Sequence, residues 1–258
     1  MATWTTAKAF GTIAGAAVLA CTIAVAAFGV VGGTADGDAH PYVGAAELAV
    51  NGGVELCSGS LVSPTRFVTA AHCFPQLARV EVSFDENPNP WAGALRFTGT
   101  VFNDPNWQLG SGGVPTSDTH DVAVILLDGA GAPQARYAQL PDLSQPVPLS
   151  NNQLIDVVGY GVRSFKPPLH GTRQLGVLKL INGGGKIGDE YLKLSANQSQ
   201  DKAAACEGDS GGPDLLHGVD VMIGITSFSV DANCSGVAYS ERIDRQSTID
   251  FINGAGAG

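Results

Sequence analysis

Basic side chains are scarce in this chain. Its 258 residues hold 14 Lys and Arg against 24 Asp and Glu, a formal net charge of −10. Removing the amino-terminal segment with its single base, Lys8, makes this about −11. A surface of that sign repels phosphate backbones, so nucleic acid is excluded as an expected partner. Aromatic residues are also few, at 7%. No repeat of the solenoid kind is present. No Cys-x-x-Cys pair or His-rich tract occurs, so neither a metal site nor a cofactor is expected.

Glycine, by contrast, is abundant, with 34 residues, and 44% of the chain is hydrophobic. Many short apolar runs separated by turn residues favour β-structure over long helices. The length suits one large domain or two small ones.

The amino terminus is different in kind. Residues 9–33 carry no charged side chain and follow Lys8, the layout of a secretory signal peptide. Ala27-Phe28-Gly29 places small residues where a signal peptidase reads, so cleavage is expected after Gly29. Residues 1–29 then form the signal and 30–258 the exported domain. Two other readings stand beside this one. The uncharged run approaches the ~20 residues that span a bilayer, which would leave a membrane tether. Val18-Leu19-Ala20-Cys21 is a lipobox-like string. Cleavage removes Cys21 and leaves Cys57, Cys73, Cys206 and Cys234, an even number in an exported chain. Spacing alone permits three pairings.

Along the body, Val43–Val50 and Val54–Val62 read as strands joined by the turn Asn51-Gly52-Gly53. Arg79–Phe84 alternates with a period of two, the mark of a half-buried strand. Leu95–Phe102 continues the pattern. Asp104–Thr119 reads as a surface loop. Residues 122–127 are uniformly apolar, as in a strand buried on both faces. Residues 129–153 hold several prolines and read as a connection between halves. Leu154–Tyr160, Gln174–Ile181, Tyr191–Leu194, Val219–Phe228 and Gly236–Ile243 are further strand candidates. Ile243, Ile249, Phe251 and Ile252 suggest a short terminal helix.

Three stretches carry chemistry. Cys206-Glu207-Gly208-Asp209-Ser210-Gly211-Gly212-Pro213 offers a serine in a tight, glycine-flanked turn. A serine acts as a nucleophile only if a base takes its proton and donors receive the charge that forms on the attacked carbonyl. The Gly208 and Ser210 amides could form such an oxyanion hole. Val68-Thr69-Ala70-Ala71-His72-Cys73 supplies a base. Asp121 opens the run Val122–Leu127. Asp121 competes with Asp104, Asp118 and Asp128, but the apolar run would bury it. The G-x-S-x-G elbow of α/β-hydrolases needs the order Ser, acid, His. Only His217 follows Ser210, with Asp214 alone between them, too cramped for residues drawn from separate strands. His40, His120, His170 and His217 read as structural or surface residues. The sequons at Asn197 and Asn233 are assigned no function.

With His72, Asp121 and Ser210 in that order, the chain resembles the trypsin/chymotrypsin-like serine proteases, in the manner of a secreted bacterial member, over roughly residues 30–253. The resemblance implies an all-β fold of two antiparallel six-stranded β-barrels, about 30–140 and about 150–245. The active site would lie in the cleft between them, with a short C-terminal helix beyond. It implies a secreted, monomeric endopeptidase that cleaves protein or peptide substrates through an acyl-enzyme. It favours the disulfides Cys57–Cys73 and Cys206–Cys234. Val30-Val31-Gly32-Gly33 resembles the start of mature members, and the Val30 amine would pair with Asp209. Ala204 would floor the substrate pocket, Ser227-Phe228-Ser229 would line it, Gly236 would face them and Glu207 would sit at the rim. With no carboxylate at position 204, an apolar side chain is the expected guest. Two alternatives keep the same fold: a secreted binding or adhesion protein without activity, and an esterase-like acyl hydrolase.

Overall fold

The computed structural model describes residues 30–50, 53–75, 78–88, 93–108, 118–161, 164–165, 168–169, 171–181, 190–196, 203–231 and 233–256. The expected signal peptide, His170 and the Asn197 sequon lie outside these residues. Among the described residues no helix is long and apolar enough to cross a membrane.

A short strand β1 (Thr34–Ala35) precedes the first barrel, which is built from β2 (Val43–Val50), β3 (Gly53–Ser63), β4 (Arg66–Thr69), β5 (Arg79–Ser83), β6 (Arg96–Asn103) and β7 (Ala123–Leu127). Its strand order is β2-β3-β4-β7-β6-β5, closed by pairing of β5 with β2. The hairpin β2–β3 pairs along its whole length, from Val43↔Ser60 to Val50↔Gly53. In β5 the alternation predicted from sequence is seen as buried Val80 and Val82 beside exposed Arg79. β7 lies between β4 and β6 and is buried on both faces, which matches its unbroken apolar sequence.

The connection through residues 129–153 is tied to both halves. Ala138 donates its amide to Leu61 O, Gln139 donates to Asp220 O, and Met222 donates back to Gln139 O. The second barrel contains β8 (Leu154–Gly159), β11 (Gln174–Leu180), β12 (Tyr191–Ala196), β13 (Pro213–Leu216), β14 (Met222–Ser229) and β15 (Gly236–Arg242). Its order is β8-β11-β12-β15-β14-β13, closed by pairing of β13 with β8, and β1 adds to the edge of β11. A two-residue pair, β9 (Ser164–Phe165) and β10 (Pro168–Leu169), stands apart. Helix α1 (Gln246–Gly254) buries Thr248 and Ile252. Arg66 donates to the carbonyls of Ile252 and Ala255 at its carboxyl end, where carbonyls lack intrahelical partners.

The strand expected at Val219–Phe228 is found as β14 but starts later, at Met222. The tail of the serine motif, Pro213–Leu216, is a further strand that the sequence pattern does not mark, and a turn at His217 and Gly218 (φ +77°) lies between it and β14. The motif's glycines hid the strand that follows them.

Arg173 locks the two halves together. It is 1% exposed. Its guanidinium pairs with Asp36 at 2.9 Å and donates to Gly37 O, Val43 O, Phe84 O and the Tyr160 hydroxyl. Asp36 also binds the His40 ring at 2.5 Å. Burial opposes the Asp36 charge, yet His40 and Arg173 hold its carboxyl below the usual carboxylate range. Arg173→Met keeps the volume and leaves the Asp36 carboxylate with His40 alone. It should cost about 3–5 kcal/mol in urea unfolding, the scale of a broken buried pair. A loss under about 1 kcal/mol, the scale of an exposed pair, would contradict this role.

Candidate active site

Strand pairing brings the first two site residues together. β4 and β7 run antiparallel with Thr69 opposite Ala123. His72, three residues after Thr69, and Asp121, two before Ala123, therefore meet at the same end of the barrel. The turn at Ala71–Cys73 points the imidazole at the carboxylate. Asp121 Oδ1 accepts the His72 amide at 2.8 Å, and Oδ2 accepts His72 Nδ1 at 2.7 Å. From the second barrel, Ser227 Oγ donates to the same Oδ2 at 2.5 Å. Asp121 is 3% exposed. Burial works against its charge, but His72 and Ser227 outweigh it and hold the carboxyl below its ordinary range. Burial likewise disfavours imidazolium, but Asp121 outweighs this and raises the His72 pKa. The bond to Nδ1 leaves Nε2 as the free nitrogen of the neutral ring.

Ser210 approaches from the second barrel. Cys73 Sγ lies 3.8 Å from His72 Nε2 and 4.0 Å from Ser210 O, so ring and serine flank one sulfur. No hydrogen bond joins Ser210 Oγ to Nε2 in this structure. The serine loop is fastened to the first barrel by Ser58 on β3. The Ser58 amide donates to Ser210 O at 2.8 Å, and its hydroxyl donates to Gly208 O at 2.7 Å while accepting the Tyr160 amide at 2.9 Å. The Gly208 and Ser210 amides donate to no acceptor among the described residues. The cysteines are bonded as Cys57–Cys73 and Cys206–Cys234, one beside His72 and one beside the serine loop. Such bonds belong to an oxidising compartment.

Asp209 is fully buried. Its Oδ1 accepts the Gly161 amide and its Oδ2 the Cys206 amide, each at 2.9 Å. It has no cation partner among the described residues. Burial, with Asp214 adding, pushes its carboxyl up to about 7. Val30, still in the intact chain, is also fully buried and has φ +44°, a left-handed conformation unfavourable for a β-branched residue.

A cavity of about 210 Å³ opens beside Ser210. Ala205, Phe228, Ala238 and the Cys206–Cys234 disulfide give it apolar walls, while Glu207 and Asp231 add acid. Ser227 and Ser229 also line it. Two other residues singled out in the sequence sit elsewhere. Ala204 does not line the cavity; it is fully buried, donates to Val31 O, and its neighbour Ala205 faces the space instead. Gly236 is exposed and lies past the end of β14, whereas Ala238 stands opposite Ser229 and forms the facing wall. Thr226 also lines the cavity, and its hydroxyl donates to Asp214 behind it at 3.1 Å. Burial pushes Asp214 up to about 7.

The family model described as Trypsin matches residues 30–248. The chain belongs to the trypsin family of serine proteases. It is 26% identical over 221 residues to the trypsin of Sarcophaga bullata, covering 78% of each chain. It is 28% identical over 212 residues to chymotrypsin-like elastase family member 1 of Bos taurus, covering 77% of this chain and 78% of that one. Coagulation factor XII of Cavia porcellus is 28% identical over 199 residues, which span 68% of this chain but only 31% of that protein. Among solved structures, that of HL collagenase superposes with a TM-score of 0.69 at 20% identity, covering 89% of this chain and 99% of that one. That likeness speaks to the fold alone. This trypsin-family chain thus has homologues that are serine endopeptidases.

Sequence reasoning missed Ser58. Its partners lie more than 100 residues away, and no local pattern marks them. Gly211 couples the same loop to the first barrel. Its φ is +84°, and a Cβ there would meet Thr69 Oγ1 at 2.1 Å and Ser58 O at 2.4 Å. Gly211→Ala must therefore push the serine loop off β3. Peptidase activity should fall about 100-fold, the cost of displacing a reacting group by ~1 Å. Retention of activity within about twofold would contradict this packing, given the scale of that misplacement effect.

Proposed function

We propose that this protein is an exported serine endopeptidase whose triad is His72, Asp121 and Ser210. The observation that carries the reading is the double contact of buried Asp121 with the His72 amide and Nδ1. That contact leaves Nε2 free to take a proton. His72 Nε2 removes the Ser210 Oγ proton as Oγ attacks the scissile carbonyl, and the Gly208 and Ser210 amides receive the oxyanion. His72 then protonates the leaving amine, and water repeats the sequence to release the acyl group. The Ser210 Oγ to Nε2 hydrogen bond is expected to form as substrate binds, since such bonds tighten in the Michaelis complex.

The base works only when neutral. Because Asp121 raises the His72 pKa above 6.5, kcat/KM should rise with pH through an apparent pKa above that value. Asp121→Asn should move this limb to lower pH and reduce kcat by about 10⁴-fold, the scale known for such a change. An acid limb that stays in place in Asp121→Asn would contradict the assignment.

The mature terminus is proposed to be Val30, released by cleavage after Gly29 during export. Cutting frees Val30 from its strained φ and gives buried Asp209 an ammonium partner. The pH dependence has a definite sign. In the intact chain Asp209 is raised from 3.8 to about 7, so the folded state binds the proton more tightly than the unfolded state. Stability then falls as pH rises through that window. Pairing with Val30 removes this loss. With Ser210→Ala in both forms, the Tm advantage of the chain starting at Val30 over the intact chain should grow between pH 5 and pH 7.5. An advantage independent of pH would contradict the pair.

The proposed primary guest is an apolar side chain, supported by the walls Ala205, Phe228 and Ala238 and by Thr226 standing in front of Asp214. A peptide library varied at the residue before the cleaved bond, with Ser210→Ala as control, tests activity and preference together. Apolar preference is expected. Strong preference for Arg would overturn it and point to the lining acids Glu207 and Asp231 as the groups that read the charge.

A further inference from the structure

Glu241 is a buried acid with no assigned task. It lies on β15 at 1% exposure, directly across from Tyr191 of β12. Its Oε2 accepts the Asp121 amide over a long 3.4 Å bond. The Asp118 carboxyl stands within hydrogen-bonding reach of the same group. Asp118 is itself held: Oδ2 pairs with Arg245 Nη1 at 2.8 Å and lies 3.9 Å from His120 Nε2, and Oδ1 accepts the His120 amide at 2.9 Å. Tyr191 grips the residue between, its hydroxyl accepting the Thr119 amide at 3.1 Å and meeting Thr119 Oγ1 at 2.5 Å. Residues 118–121 lead into the first barrel, yet Tyr191, Glu241 and Arg245 of the second half hold them.

The charges in this cluster do not balance if every acid is ionised. Among the described residues Asp118, Asp121 and Glu241 would face one fixed cation, Arg245, with His72 and His120 charged only when protonated. One retained proton resolves the conflict. A neutral Glu241 donates its O–H to Asp118 and accepts the Asp121 N–H, so both neighbours are satisfied by one carboxyl. An ionised Glu241 accepts the Asp121 N–H more strongly, but it loses the donor to Asp118 and adds a charge that Asp118 and Asp121 both repel, and the repulsion outweighs the bond.

We propose that Glu241 is a positioning residue that, as a neutral acid, fastens the Asp121 backbone to the second barrel, and that losing its proton loosens the triad. This rests on the reading of Asp121 as the triad aspartate. Burial, with Asp118 adding, pushes Glu241 up to about 9. The fold thereby contains an alkaline limit on turnover that is separate from the titrations of His72 and of the Val30 ammonium.

The test uses the chain starting at Val30 and compares kcat and KM from pH 6 to pH 11. Glu241→Gln keeps an oxygen for the Asp121 amide and a donor for Asp118 but has no proton to lose. Its kcat should fall less at alkaline pH than that of the wild type; the fall the two share belongs to the Val30 ammonium, which loses its proton in the same range. Glu241→Leu should lose about tenfold in kcat at every pH with KM nearly unchanged, a loss that Gln restores. An alkaline fall in Glu241→Gln matching the wild type overturns the proposal, as does full kcat in Glu241→Leu. If Glu241→Leu fails to fold, the Gln profile decides alone. Asp121→Asn, run alongside, separates the two readings: full activity there sinks the triad assignment, whereas an unchanged limb in Glu241→Gln sinks only this one.

Discussion

A carboxylate taken out of water loses several kcal/mol of hydration, and only donors fixed around it make the loss tolerable. Asp121 meets this constraint with three donors: the His72 amide, His72 Nδ1 and the Ser227 hydroxyl. Two come from the first barrel and one from the second. The two barrels must therefore be in register for the charge to be stable at all. The same donors fix the imidazole tautomer, so what satisfies a buried acid also aims a base at the cleft.

The serine loop obeys a parallel constraint. A loop that must leave two amides without protein acceptors needs its other groups held firmly. Ser58 does this from β3 through its amide and its hydroxyl, and Gly211 allows the backbones to touch. The disulfides secure the histidine turn on one side and the serine loop on the other. Both barrels thus contribute to each half of the site. Arg173 and the 129–153 connection keep the barrels from sliding.

Much of this was legible in the chain. The motifs around His72, Asp121 and Ser210 stand out because the proposed chemistry would constrain neighbouring residues as well as the reacting ones. The alternation in Arg79–Ser83 and the apolar run before Leu127 announced strands, because burial of one or two sheet faces leaves a period in the sequence. Ser58, Arg173 and Glu241 were invisible. Each acts through partners brought close only by closure of the barrels, and none sits in a distinctive local pattern. Ala238 was missed for a related reason. Which small residue of β15 faces the cavity depends on where β14 ends, and strand ends are set by pairing. The strand at Pro213–Leu216 was masked by the glycines of the motif that it follows.

Activation of the Ser210 hydroxyl is the claim on which the account turns. A serine-directed phosphonate ester, reacted with the chain starting at Val30 and mapped by mass spectrometry, tests it directly. The account predicts one adduct, on Ser210, that is lost when His72 is replaced by Ala. Labelling of another residue, or equal labelling of Ser210 without His72, would contradict it.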